Sequence, residues 1–192
     1  MKVIKKTPPN YCLVLSKISL ASSISLTDPS NFNFLLGYRK SFFSFLNPFF
    51  VQYSLKIGFS FIELFLKSKY NILFIVNLKD SILLNKFHKI CKKKNYSLLK
   101  DSEVSSGFLT NRKTSSLLLV ALFLDHRKTE LIQKESLLMN IPLISFNDSS
   151  SNKFSSSVAV VGSYSSLLSK NLILSLLSVC LKQKFNHKNN AT

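Results

Sequence analysis

The chain has 192 residues, enough for one α/β domain with a core of its own. It carries 26 Lys and Arg against 9 Asp and Glu, a formal net charge of +17, far more than solubility requires; nucleic acid is the partner this implies first and an anionic membrane surface second. Apolar residues make up 46%, but Arg39, Lys40, Glu63, Lys67 and the serines of 172–181 break the runs well short of the about 20 apolar residues of a membrane span, so neither a span nor a signal peptide is expected.

Residues 1–30 read as a basic N-terminal extension, with Pro8-Pro9, Asp28-Pro29 and a short helix around 13–20. Lys2, Lys5 and Lys6 are expected to touch RNA or a neighbouring protein there. A single α/β domain follows over 31–184. Residues 31–47 alternate aromatics with Gly37, Arg39 and Lys40. Asn47-Pro48 is a helix start, Asn as cap and Pro at the first position, and an amphipathic helix runs to about residue 69, weakened modestly by Gly58. Residues 72–76 are a buried strand, and 81–94 a helix that is apolar at Leu83, Phe87 and Cys91 and basic at Lys86, Lys89, Lys92, Lys93 and Lys94. A short strand at 96–99 leads into a loop at 101–114. This loop is expected to emerge at an end of the sheet.

Residues 117–150 are the most clearly patterned stretch. The apolar run 117–124 is broken by Asp125-His126-Arg127-Lys128. A helix follows with Leu131, Ile132, Leu138 and Met139 as its apolar residues and Glu130, Lys134 and Glu135 as its polar ones. Ile141-Pro142 stops it, and 143–146 is a second apolar run that ends in the turn residues Asn147-Asp148-Ser149-Ser150. This is one β-α-β unit with both strands buried. A Ser-rich loop, a strand at 158–161 and a helix over 165–184 complete the domain, and 185–192 is a polar tail. The expected fold is a doubly wound, three-layer, flavodoxin-like sandwich on about five parallel strands.

Little catalytic chemistry is visible. The first parallel strand is followed by Asn77-Leu78-Lys79-Asp80, with no glycine-rich phosphate loop and no Walker lysine. Asp125 and Asp148 both sit at strand ends, where capping a turn or helix is their expected role. His88, His126 and His187 form no cluster and are expected in solvent. Cys12, Cys91 and Cys180 are widely spaced, without a CxxC pair; this predicts no zinc site, a reducing compartment and buried thiols. No catalytic residue, metal site or cofactor is assigned.

The loop Ser106-Gly107-Phe108-Leu109-Thr110-Asn111-Arg112-Lys113-Thr114 resembles the "G-G-x-L-T-N-x-K-T" loop of the ribosomal protein S two family. Asp125, Glu135 and Asn140-Ile141-Pro142-Leu143-Ile144 resemble its "D…KEA…GIPVIA" stretch, Asp148-Ser149-Ser150 stands at its "D-T-N", and Val160-Val161-Gly162-Ser163 at its "I-P-G-N". From Asp125 to Leu181 the spacing needs no gap. Residues 72–77 resemble the "ILFVGT" strand, and Leu36-Gly37-Tyr38-Arg39 is a weaker match to "YGxR". The chain departs from the family at Glu103-Val104, where the family has Arg-Trp, and at Ser106, Val161 and Ser163. The family's long helical hairpin is missing after Thr114.

The resemblance implies a non-enzymatic constituent of the small ribosomal subunit, bound to small-subunit ribosomal RNA and to neighbouring ribosomal proteins. Its candidate RNA contacts are Lys2, Lys5, Lys6, Arg39, Lys40, Lys92, Lys93, Lys94, Thr110, Asn111, Arg112 and Lys113. Heavy use of Phe, Lys, Asn and Ile, residues with AT-rich codons, and an N-terminus without an Arg- and Ser-rich presequence suggest a protein made inside an organelle, the mitochondrion before the plastid. The readings set against this one are a small α/β nucleotide-binding enzyme, which needs a phosphate-cradling loop, and a peripheral membrane protein, which needs an amphipathic helix free of the sheet.

Overall fold

The computed structural model describes residues 8–21, 23–39, 43–68, 70–93, 96–111, 117–152 and 156–182. In chain order they form α1 (Asn10–Leu15), β1 (Leu20–Ala21), β2 (Leu35–Arg39), β3 (Phe43–Leu46), α2 (Pro48–Lys67), β4 (Asn71–Val76), α3 (Ser81–Lys93), β5 (Ser97–Lys100), β6 (Leu117–Leu122), α4 (His126–Leu138), β7 (Leu143–Asn147), β8 (Val158–Val161) and α5 (Leu167–Lys182). Asn47 caps α2, its Oδ1 accepting the Phe49 N–H at 3.0 Å, with Pro48 where a missing N–H does no harm. Asp80 accepts the Ile82 N–H at 2.9 Å at the start of α3.

Five strands form an all-parallel sheet in the order β5-β4-β6-β7-β8, flanked by helices on both faces. This is the expected α/β sandwich. Side chains alternate along β4: Ile72, Phe74 and Val76 face a core shared with α2, α3 and α5, while Leu73 and Ile75 face one shared with α4. Phe74, Phe87 and Phe146 are fully buried in the first core, each contributing roughly 1.5–3 kcal/mol of transfer free energy.

The N-terminal region differs from expectation. The helix sits at Asn10–Leu15 rather than around 13–20, and Leu13, Ile18 and Ala21 join the main core. From Asn10 onward the chain packs as part of the domain, so residue 30 is no packing boundary. The aromatic-rich stretch 31–47 forms a second, antiparallel sheet in the order β1-β3-β2, with a register shift between Leu35 and Gly37. Lys2, Lys5 and Lys6 lie outside the described residues.

The loop after β5 is also corrected. β5 and β6 both run parallel to β4, so their connection must return the length of a strand. It crosses the α4 face of the sheet instead of emerging at an end, and it buries Val104 and Leu109 in the second core. Among the described residues that connection is irregular apart from one 3-10 turn at Asp101–Glu103, and the connection from β7 to β8 has no helix. One face of the sheet therefore carries three helices, and the other carries α4 and irregular chain.

By length and composition α2 is apolar enough to cross a membrane. Its inner side is occupied by protein: Val51, Leu55, Phe59, Ile62 and Leu66 are all buried in the main core. Gly58 lies on the same side, and a Cβ there would stand 2.7 Å from Val160 Cγ2 on β8. The glycine that weakens the helix is what lets it lie close against the sheet, and stiff, β-branched Val160 cannot swing away. Gly58→Val is expected to destabilise the protein by about 1–3 kcal/mol through overpacking. Urea unfolding would show this as a lower midpoint with an unchanged slope.

Candidate nucleic-acid interface

The loop at 101–111 is shaped by two side chains of α4. Glu135, buried on the inner side of the helix, accepts the Gly107 N–H at 2.6 Å through Oε1 and the Leu109 N–H at 2.8 Å through Oε2. Lys128 Nζ donates to the carbonyl oxygens of Asp101 and Val104. The turn closes on itself with the Asn111 N–H donating to Gly107 O at 3.0 Å. Gly107 has φ +81°, the left-handed region that glycine occupies without strain. Thr110 and Asn111 project from this turn and are exposed.

This arrangement corrects the polarity expected of α4 at two positions, while Leu131, Ile132 and Met139 meet the second core as expected. Glu135 was expected outside and Leu138 inside, but Glu135 is buried while Leu137 and Leu138 are 60% and 74% exposed. Thr129, Gln133 and Ser136 are buried as well. Gln133 Nε2 donates to Asn152 O at 3.1 Å and to Ser156 Oγ at 2.9 Å, holding the loop between β7 and β8. Beside Ile132, the inner side of α4 carries polar groups because it must supply partners to irregular backbone.

Of the other candidates, Lys92 is exposed on α3, beside exposed Lys86 and Lys89. These two went unassigned in the sequence, although their spacing of three marks a single helix face. Arg39 and Lys93 belong to the backbone of β2 and α3; their side chains, and all of Lys40, Lys94, Arg112 and Lys113, lie outside the described residues. α3 packs on one face of the sheet and the Thr110–Asn111 turn on the other, so the described candidates do not converge on one patch.

The carboxyl edge of the sheet is where doubly wound folds bind ligands, and on the side of β6, β7 and β8 it is filled by its own side chains. Tyr164 stacks against Phe123 and Phe146 and donates from its hydroxyl to Val160 O at 3.1 Å. Asp148 Oδ1 accepts the Tyr164 N–H at 2.9 Å, so it ties down the turn after β8 instead of capping its own. Burial raises the Asp148 pKa from its ordinary value, against that hydrogen bond and Lys170. Burial lowers the Lys170 pKa, with Asp148 opposing, and its Nζ stands 5.8 Å from the Phe123 ring centroid. Asp125, the residue before α4, is exposed and makes no side-chain cap.

A shallow cleft of about 230 Å³ opens between the ends of β4 and β5, lined by Val76, Asn77, Leu78, Lys100, Asp101, Ser102 and Lys128. No phosphate-cradling loop borders it. His88 and His126 are exposed, and among the described residues no three His, Cys, Asp or Glu are grouped to hold a metal ion. Cys91 and Cys180 are buried, which pushes both thiols up to about 12, while Cys12 is half-buried. No model of a known protein family matches the chain, and no curated protein matches it.

Two outcomes follow for this region. Glu135→Ala leaves two backbone N–H groups without their acceptor and is expected to cost about 2–4 kcal/mol, with Glu135→Gln, which keeps one acceptor oxygen, losing roughly half as much; urea unfolding measures both. For Asp148 the folded pKa lies above the unfolded one. Its contribution is therefore fully present below the unfolded value and lost as pH rises through the folded value. Asp148→Asn should gain stability relative to the parent between about pH 4 and pH 7, a gain read from unfolding curves at the two pH values.

Proposed function

We propose that this chain is a structural constituent of the small subunit of a mitochondrial ribosome. In this reading it is not an enzyme and uses no cofactor. It holds small-subunit ribosomal RNA through Lys and Arg contacts to phosphate, beside neighbouring ribosomal proteins. The observation that carries the reading is the Glu135 contact. The segment resembling the family's glycine-threonine-asparagine loop and the segment resembling its "KEA" helix are far apart in sequence, yet Glu135 of one holds Gly107 and Leu109 of the other. A chance likeness of two short motifs has no reason to be joined by a buried carboxylate. The net charge of +17 supports a polyanionic partner independently.

The reading is tested by sedimentation. The protein is expected to travel with the small subunit, to be released by ribonuclease, and to stay bound in non-ionic detergent. Arg112→Ala combined with Lys113→Ala is expected to lower incorporation several-fold and to reduce the salt concentration at which half of it is lost. Migration with membranes, or incorporation unaffected by ribonuclease, would refute the assignment.

A further inference from the structure

The exposed apolar side chains are not scattered. Of the eighteen large ones exposed among the described residues, eleven fall between Tyr11 and Ile57. Charge is spread more evenly: residues 1–66 hold seven Lys and Arg against two acids, and 67–192 hold nineteen against seven. What sets the N-terminal third apart is its exposed apolar surface.

The antiparallel sheet lies within this region. In the order β1-β3-β2, no strand among the described residues pairs with the outer edge of β2. Open edges are ordinarily blunted by lysine or proline; here the basic residues stand only at the end, Arg39 with Lys40 after it, while residues 35–38 are Leu, Leu, Gly and Tyr, and Leu36 is 69% exposed. Phe45 on the neighbouring strand is also exposed. The apolar surface continues onto α2 through Phe34, whose ring meets Phe50 edge-on at 6.0 Å, and then through Phe49 and Tyr53.

We infer that β2 and the aromatic start of α2 are the docking site for an extended, apolar segment of another polypeptide, added to β2 as a fourth strand. Two features select this occupant. Open backbone N–H and C=O groups along a strand edge are matched by another strand, not by RNA or lipid. Exposed apolar side chains along and beside that edge suit an apolar peptide better than a phosphate backbone, which binds through Lys and Arg. The inference stands on this surface alone and does not depend on the ribosomal reading.

The test places the photoreactive residue benzoyl-phenylalanine at position 36 of the full-length chain in its native cells. Support consists of one discrete ribonuclease-resistant polypeptide adduct that falls at least ten-fold when Phe45→Lys and Phe49→Lys are added. In the purified adduct the amides of 35–39 must also exchange at least ten-fold more slowly than in the free protein. If the lysine pair lowers the thermal midpoint, Phe45→Ser with Phe49→Ser replaces it. An adduct to RNA, to lipid or to a second copy of this chain overturns the inference. So does the absence of an adduct, an adduct indifferent to both substituted pairs, or unchanged exchange at 35–39.

Discussion

The carboxylate of Glu135 is the constraint on which one whole face of the sheet depends. Parallel strands must be covered on both sides, because neither face can be left to water. Where a helix covers a sheet, its backbone is satisfied internally. Where irregular chain does so, each buried N–H needs an outside partner. Here α4 is that partner for both neighbours: Lys128 and Glu135 on one side, Gln133 on the other. A helix with a purely apolar inner side would have packed on the sheet and left both loops without anchors.

The opposite face needs no such device. α2, α3 and α5 bring conventional apolar stripes, and their residues merge with Ile72, Phe74, Val76 and Phe146 into one core. Tyr164 closes that core at the carboxyl edge, against Phe123, whose φ of +59° is unusual for an aromatic residue at a strand end. The part of that edge above β6, β7 and β8 is thereby occupied, and the edge opens as a shallow cleft at the ends of β4 and β5. Its charged groups, Asp148 and Lys170, sit half in and half out of the protein rather than around an enclosed cavity.

How much of this was readable follows from the kind of signal each element carries. The five parallel strands are short unbroken apolar runs bounded by turn residues, and all five were located within one or two residues. The antiparallel sheet was missed for physical reasons. β1 is two residues long, and a register shift interrupts the alternation of β2. α4 is legible in place and in most of its apolar side, Leu131, Ile132 and Met139, but not at Glu135 and Leu138, because periodicity equates buried with apolar and Glu135 is buried for its hydrogen bonds. The path of the 101–111 loop could have been deduced, since two parallel strands demand a return crossing. The lysines of α3 are legible as the basic side of a helix, and the structure shows Lys86, Lys89 and Lys92 exposed on it.

The dependence of one face on α4 also settles where the domain loosens first. Helices α2, α3 and α5 interlock through one continuous apolar core, whereas both loops of the other face are held by three side chains of a single helix. Opening of α4 therefore releases both loops together. That face is one cooperative unit, of lower local stability than the core opposite it.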